Sequence, residues 1–215
     1  MNIGIEILRN IVPGAKESYL KTLVDTFNAN AKRYGLTTPE RVAAFIAQVA
    51  HESDGLKTTQ EYASGAAYEG RSDLGNTQPG DGQRFKGRGF IQTTGRTNYV
   101  DTSKALFGDS SILLNNPSLL ENPKNATLSA MYFWNKKGLN EIADKADDWT
   151  TSTKKGILSK FEYITLLING GLNGLQSRES YWEKAKAILK KKIKPTANST
   201  YPAFNTTHWW SFIFH

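Results

Sequence analysis

Eight glycines lie between Tyr62 and Asn98, in a stretch that shows neither helical nor strand periodicity. They stand at positions 65, 70, 75, 80, 82, 87, 89 and 95. Segments of this length without regular elements are uncommon inside a compact domain and are more often functional than idle. We therefore predict a long, structured loop region, with a short hairpin around Phe85 to Thr93, that lines a cleft.

Helical periodicity surrounds this Gly-rich region on both sides. Apolar residues return at the spacing of one helix face, and capping residues, prolines and glycines mark the helix ends. The pattern predicts a mainly α single domain that the Gly-rich region splits into two lobes. The predicted helices lie between Pro13 and Gly35, from Thr38 to about Ser53, from Asn122 through Trp134, from Leu139 to Ala146, from Phe161 to Ile168, and from Ser177 to Lys191.

The helical pattern stops near residue 193 of the 215. We assign residues 1–193 to the folded domain, which is long enough to bury a sizeable core. Residues 194–215 are predicted to be an aromatic C-terminal tail that forms no separate domain. Its last residues, HWWSFIFH, suit sugar binding, contact with a membrane interface or packing on the core equally well. The aromatic pairs Phe133 with Trp134 and Tyr181 with Trp182 are interpreted as core residues rather than sugar platforms.

The residue types present exclude several classes of site. The chain has no cysteine, which rules out disulfides, thiolate chemistry and zinc sites that need sulfur. Its three histidines, His51, His208 and His215, are scattered, and no HExxH motif occurs. The segment KGRGFIQTTG lacks the Gly-Lys-Ser/Thr of a phosphate-binding loop, and GDGQRF lacks the third glycine of a dinucleotide site. We therefore expect no metal, no nucleotide and no other cofactor.

The charge balance favours an anionic partner. Lys and Arg total 27 against 20 Asp and Glu, a formal net charge of +7. Several lysines fall in or just after the last predicted helix, where they form either a solvated face or a contact with an anionic cell envelope. We expect no nucleic-acid partner. These lysines are Lys184, Lys186, Lys190, Lys191, Lys192 and Lys194.

The motif HESDG, residues 51–55, ends the second predicted helix and carries a histidine next to a carboxylate. Glu52 follows Phe45 by seven positions, which returns it to within about 20° of the apolar stripe. A carboxyl group there is expected to be partly desolvated, and desolvation favours the protonated form that a general acid needs. The alternative is a helix end that frays into solvent.

A second carboxylate, Glu61, follows nine residues later. On an unbroken helix it would lie on the face opposite Glu52 and about 13 Å further along. Because Gly55 can end the helix and let the chain turn back, the loop could hold both carboxyl groups at the separation of about 6.5–9.5 Å found in inverting glycosidases. Spacing alone leaves Asp54 and Glu69 open as alternatives.

Three motifs together resemble one known family. HESDG with Glu61 nine residues after its glutamate, KGRGFIQTTGRTNY (residues 86–99) and INGGLNG (residues 168–174) resemble the signature of the family 19 glycoside hydrolases, which comprise chitinases and related phage endolysins. The order and approximate distances match over about residues 40 to 190. The resemblance implies a lysozyme-like, two-lobed helical fold with a cleft, and residues 1–193 would form the catalytic domain. It also implies a single-displacement reaction that inverts the anomeric carbon.

The resemblance assigns roles to the acidic residues and their neighbour. Glu52 would be the general acid that protonates the leaving glycosidic oxygen, and Glu61 would be the general base that activates water. The nine-residue spacing matches the bacterial and phage branches of the family, which favours Glu61 over Glu69 as the base. Glu69 remains a candidate for the cleft and for substrate binding, and His51 would orient the helix end.

The same resemblance assigns substrate contacts to five further residues. Gln92 and Thr94 are predicted to lie on an extended segment and to point to one side, Gln92 holding a carboxylate or substrate and Thr94 positioning the water. Asn98 and Asn169 would contact N-acetyl or hydroxyl groups of the sugar. Arg178 would lie near the acid and base, although its distance from the INGG motif varies among relatives.

The function that the sequence favours is a monomeric endolysin that cleaves peptidoglycan. The basic charge, the absence of cysteine and the lack of a recognisable chitin-binding module favour it over the alternative, a chitinase. A catalytically inert cell-wall-binding relative is a third alternative, which the presence of both acids disfavours. Because the first residues lack a basic segment followed by an apolar run, we expect synthesis in the host cytoplasm without a signal peptide and action on the wall after release.

Overall fold

A computed structural model of the chain describes residues 1–193, and these residues are mainly helical, as the sequence predicts. The predicted tail, residues 194–215, lies outside the described residues. Over residues 1–193, no helix combines the length and the apolar content needed to cross a membrane.

Ten α-helices, three short 3₁₀ helices and one short antiparallel pair of strands make up the regular structure of the described part. The helices are α1 (Ile5–Ile11), α2 (Glu17–Asn30), α3 (Pro39–Glu52), α4 (Asp81–Arg84), α5 (Arg96–Phe107), α6 (Ile112–Asn115), α7 (Pro123–Lys136), α8 (Leu139–Ala143), α9 (Lys160–Asn169) and α10 (Leu175–Ile193), and the strands are β1 (Thr150–Thr153) and β2 (Gly156–Ser159).

All six predicted helices are confirmed, as α2, α3, α7, α8, α9 and α10. Their first turns show why the sequence signals were readable. The Thr38 hydroxyl accepts a hydrogen bond from the Arg41 amide at 3.3 Å, and the Asn122 side chain accepts one from the Lys124 amide at 3.0 Å, each just ahead of a proline. These bonds satisfy amides that the helix itself leaves without partners.

Helix α3 is the centre of the larger hydrophobic core. The sequence predicts an amphipathic helix, but every residue from Val42 to Ala50 is buried, so the helix is enclosed on all sides. Its alanines let neighbouring helices approach closely, and α10 packs along it. The centroid of the Phe45 ring lies 5.9 Å from that of Phe27 and 5.6 Å from that of Trp134, and the Trp134 contact is edge to face. The C-terminal end of α3 is therefore held rigidly.

A smaller second cluster forms next to the Gly-rich region, from Phe85, Tyr99, Leu113 and Leu120. This separation into two clusters is consistent with the predicted two lobes. The Gly-rich region itself contains the turns Ala66–Tyr68 and Ser72–Leu74 and the short α4. In place of the predicted hairpin, Arg88 pairs with Thr93 through one isolated bridge, and Arg88 also pairs with Gln60. The region is a set of hydrogen-bonded turns.

Helices α1, α4, α5 and α6 and the strands β1 and β2 were not predicted. The buried positions of α5 are Tyr99, Thr102 and Ser103, which form no apolar stripe that periodicity could reveal. Each strand has four residues, and only Leu158 among them is buried. Neither α5 nor the strands therefore show a periodic pattern of apolar residues in the sequence.

Candidate active site

The cleft begins where α3 ends. Three consecutive residues after its cap, Asp54, Gly55 and Leu56, have φ values of +50°, +69° and +59°. The Ser53 hydroxyl accepts a hydrogen bond from the Leu56 amide at 3.0 Å, which closes the turn. This left-handed turn reverses the chain directly after Glu52, as the sequence predicts for Gly55.

Glu52 forms an ion pair with a buried arginine. Arg178, on α10, is 2% exposed and donates to the Glu52 carboxylate at 2.5 Å, while Glu52 retains 17% exposure toward the cleft. The same guanidinium donates to the Gln48 side-chain oxygen at 2.5 Å and to the Asn173 carbonyl at 3.2 Å. Gln48 in turn donates to the Thr165 hydroxyl at 2.8 Å. A buried polar network therefore fixes the Glu52 carboxylate.

Glu61 is held by two neutral donors. One carboxylate oxygen accepts the Gly87 amide at 3.0 Å, and the other accepts the Tyr68 hydroxyl at 2.9 Å. Burial, and then the hydrogen bond to Glu61, raise the pKa of Tyr68, so its hydroxyl remains a donor at neutral pH. A Cβ atom on Gly87 would lie 2.7 Å from Gln92 Oε1 and 3.2 Å from Glu61 Oε2, so a larger residue there would displace the Gln92 amide and crowd the carboxylate.

Both carboxylates line one open cleft of about 580 Å³. Glu52 reaches it from the end of α3, and Glu61 reaches it from the loop that follows the left-handed turn. The cleft is polar, with hydroxyl, amide and imidazole groups around the two acids. Its lining residues are His51, Glu52, Asp54, Gly55, Thr58, Glu61, Tyr62, Tyr68, Gln92, Thr94, Ser177 and Tyr181.

Gln92 and Thr94 both line this cleft, but the extended segment predicted for them is wrong. Gln92 has a φ of +57° and lies in a turn, in which the Thr94 hydroxyl donates to the Gln92 carbonyl at 2.9 Å. The Gln92 side-chain nitrogen donates to the Gly89 carbonyl at 3.0 Å. Its buried Oε1 has no hydrogen-bond partner within the described residues, and both this oxygen and Glu61 Oε2 lie close to Gly87.

A second pocket, of about 280 Å³, shares Gln92 and Thr94 with the cleft and extends it. Asn98 lines this pocket and donates to the Thr94 carbonyl at 2.8 Å. Two lysines at the end of α7 also line it. Lys136 pairs with Asp101, whereas Lys137 forms no ion pair within the described residues, and its ammonium lies 5.7 Å from the Phe133 ring centroid. The extension therefore carries an available positive charge.

His51 lies at the cleft wall next to α10. Its Nδ1 is 3.0 Å from the Ser177 hydroxyl, and a Cβ atom on Gly174 would lie 2.2 Å from the ring, so the imidazole packs tightly against that turn. Burial lowers the pKa of His51 most, and the positive charge of Arg178 lowers it further. The negative charge of Glu52 raises the pKa but does not cancel these two effects. A neutral imidazole that fixes the helix end fits this environment.

Glu69 and Asn169 lie outside the lining of these two pockets. The two Glu69 oxygens accept the amides of Gly80 and Gly82, each at 2.7 Å, which commits the carboxylate to shaping the Gly-rich region. Asn169 is exposed at the end of α9 and donates to the Asn173 carbonyl at 3.2 Å. The substrate roles of both residues stay predictions.

The structure adds four residues to the site that the sequence analysis did not identify. Gln48 lies one helical turn before Glu52, so the spacing on α3 could have revealed it. Tyr181, interpreted from the sequence as core, lines the cleft one turn beyond Arg178. Tyr62 and Tyr68 belong to the Gly-rich region, where no periodicity signals which side chains face a cleft. Within the described residues, no group of three or more acidic or histidine side chains could hold a metal ion.

Residues 20–194 match the family of class I chitinases, glycoside hydrolase family 19. The chain belongs to this family. Its fold also resembles that of solved family members: chitinase C of Streptomyces griseus superimposes with a TM-score of 0.63 at 23% identity, over 87% of this chain and 92% of that one. The class IV family 19 chitinase of Zea mays gives a TM-score of 0.56 at 19% identity, over 86% and 89% of the two chains. These likenesses confirm the mainly α, lysozyme-like fold.

Family 19 sequences from plants and bacteria are similar to this chain. An acidic endochitinase of Petunia hybrida is 35% identical over 170 residues, which cover 70% of this chain and 62% of that protein. A family 19 domain-containing protein of Haemophilus influenzae is 25% identical over 190 residues, 74% of this chain and 85% of that protein. The matched region spans less than two thirds of the petunia protein and 47% of an endochitinase of Pisum sativum.

Proposed function

We propose that this protein is a glycoside hydrolase that cleaves the glycan strands of bacterial peptidoglycan and inverts the anomeric carbon. The observation that carries the proposal is the pair Glu52 and Glu61, which face one cleft from two different segments. Their surroundings differ: Glu52 contacts a buried cation, and Glu61 contacts two neutral donors.

In the proposed reaction, Glu52 donates its proton to the glycosidic oxygen as the bond between that oxygen and the anomeric carbon breaks. A water attacks the carbon from the opposite face, and Glu61 accepts its proton. The products are a hemiacetal of inverted configuration and a free hydroxyl on the leaving sugar. The Arg178 charge stabilises the carboxylate that Glu52 becomes as it loses its proton, and this charge is preorganised by its buried partners.

Glu61 is positioned for this reaction by the two donors on its oxygens. With one oxygen bonded to the Gly87 amide and the other to the Tyr68 hydroxyl, the carboxylate has a fixed plane and keeps lone pairs free for water. The unpartnered Gln92 oxygen offers a second acceptor nearby. A water bound there could donate to both groups and present its lone pair to the sugar.

Charge favours peptidoglycan over chitin as the substrate. Peptidoglycan carries carboxylates on its peptides, whereas chitin is neutral. The net charge of +7 and the available ammonium of Lys137 in the extension of the cleft both suit an anionic glycan. We expect the protein to act as a monomer and to meet this substrate at the wall after release from the host cytoplasm.

Chitin is the second candidate substrate, and the similarity to plant endochitinases favours it. Purified peptidoglycan and chitin oligosaccharides should be incubated separately with the enzyme, and new reducing ends should be counted. New ends on peptidoglycan are expected. If only chitin yields new ends, the chitinase alternative replaces the proposal.

The catalytic assignment is tested with Glu52→Gln and Glu61→Gln. Each is expected to lower kcat by about a thousand-fold, since positioned acids and bases contribute about 10²–10⁴ in rate. Glu69→Gln is the matched control, and a larger loss there than in Glu61→Gln would move the base to Glu69. Proton NMR of the first-formed anomer tests inversion.

A further inference from the structure

An exposed tyrosine at the edge of the cleft has no part in the proposed chemistry. Tyr62 lines the cleft beside Glu52 and Glu61 and is 79% exposed. Two other large apolar or aromatic side chains of the described residues are exposed, Phe107 and Ile157, and neither lines the cleft. The Tyr62 ring is therefore available to a ligand that lies between the catalytic carboxylates.

The ring is held in place by the left-handed turn that follows α3. The Tyr62 hydroxyl donates to Asp54 Oδ2 at 3.0 Å, and the other Asp54 oxygen lies 3.9 Å from the Lys57 ammonium. Asp54 adopts its φ of +50° in a turn where Leu56 also lies in the left-handed region, which is unfavourable for a branched residue. The turn thus fixes the carboxylate that anchors the phenol.

The anchoring bond also determines how Tyr62 can contact a ligand. Because the hydrogen bond to Asp54 raises the pKa of Tyr62, the phenol stays protonated and its hydrogen remains committed to the carboxylate. The face of the ring is then the part that meets a ligand. A flat, exposed and immobilised aromatic face suits a partner with a flat apolar face of its own.

We propose that Tyr62, anchored by Asp54, is a stacking platform for a sugar ring of the bound glycan. A β-linked hexopyranose presents axial C–H bonds on its faces, and these pack against an aromatic ring. Since Tyr62 directly follows Glu61 in the chain, the stacked sugar is next to the bond that is cleaved. This inference rests on the proposed glycoside hydrolase function and adds a binding residue to it.

The test measures glycan binding without turnover. In a Glu52→Gln background, titration calorimetry with a soluble peptidoglycan tetrasaccharide, in which N-acetylglucosamine alternates with N-acetylmuramic acid, compares the parent with added Tyr62→Ala, Tyr62→Trp and Phe107→Ala. Tyr62→Ala is expected to weaken binding about ten-fold, which corresponds to ~1.4 kcal/mol. Tyr62→Trp keeps an aromatic face but loses the hydrogen bond to Asp54, and it is expected to bind within about three-fold of the parent. Phe107→Ala removes an exposed aromatic ring outside the cleft and is expected to bind like the parent.

The anchor is tested at Asp54 by the same titration. Asp54→Asn keeps an acceptor oxygen and tolerates positive φ, so it is expected to bind like the parent. Asp54→Ala frees the phenol and is expected to weaken binding about three-fold, which is ~0.7 kcal/mol. Thermal unfolding of each variant shows whether the turn itself is retained, and full binding by Asp54→Ala would remove the anchor from the proposal.

Binding by Tyr62→Ala within about two-fold of the parent would overturn the platform while leaving the catalytic proposal intact. A different result would reject the proposed glycoside hydrolase function itself. If the Glu52→Gln parent binds no glycan and the unaltered enzyme cleaves neither peptidoglycan nor chitin, both the function and the platform are rejected. The two failures are therefore distinguishable.

Discussion

Replacing Arg178 with methionine is expected to destabilise the fold and impair catalysis together. Methionine has a similar length but cannot donate to Glu52, Gln48 or the Asn173 carbonyl. Removing one partner of a buried ion pair costs about 3–5 kcal/mol, and the lower end applies because Glu52 is 17% exposed and can recruit water. The Gln48 oxygen, left buried without a donor, adds about 1–3 kcal/mol. Since neighbouring effects are not additive, we expect a loss of about 4 kcal/mol.

Urea unfolding followed by tryptophan fluorescence measures this loss. A domain of this kind has about 5–15 kcal/mol of stability, so the Arg178→Met protein should still fold. Arg33→Met removes an exposed arginine and is expected to stay within about 0.5 kcal/mol of the parent. The double variant Gln48→Met with Arg178→Met removes the unpaired amide and should regain about 1 kcal/mol. A loss below about 1 kcal/mol in Arg178→Met would refute the reasoning from the buried network.

Three further predictions concern other groups. Tyr68→Phe removes one of two donors on Glu61 and is expected to lower kcat about ten-fold with little change in KM; an unchanged kcat in steady-state assays would contradict its positioning role. The hydrogen bonds from Arg96 hold the pKa of Asp81 below its usual range. Their contribution to the free energy of unfolding is therefore fully present above about pH 4 and is lost as the pH falls further. Asp81→Asn should therefore lower the unfolding free energy at pH 7 by about 2 kcal/mol and flatten its acid dependence, as measured by circular dichroism in urea. Lys137→Gln should reduce the rate on peptidoglycan more than the rate on chitin oligosaccharides. An equal reduction on both substrates would show that the Lys137 charge does not determine the preference for peptidoglycan.

The sequence could predict the parts of the site that depend on local signals. Thr38 and Pro39 mark where α3 starts, and the glycine of HESDG marks where it ends. The helical angle between Phe45 and Glu52 predicts a partly desolvated carboxylate, and the structure leaves the Glu52 side chain 17% exposed against the buried Arg178. The turn back toward Glu61 follows from the same glycine.

Contacts between distant segments could not be predicted in the same way. Arg178 lies 126 residues after Glu52, and no local period relates the two positions. Tyr68 and Gln92 belong to turns whose side-chain directions depend on which amides and carbonyls they meet. The positive φ of Gln92 is an example, because the IQTT sequence favours an extended strand and the Gly89 carbonyl binds the side chain in a turn instead.

The two carboxylates proposed as acid and base lie on parts of the chain that differ in stiffness. Glu52 stands at the end of a helix buried from Val42 to Ala50, whereas Glu61 lies in the loop just before the Gly-rich region, and each of its carboxylate oxygens accepts one hydrogen bond. We therefore expect that glycans of different width are accommodated by displacement of Glu61, while Glu52 keeps its position. On warming, the hydrolytic rate should decline through misplacement of Glu61 before the helical core unfolds, so inactivation and global melting should occur at separate temperatures.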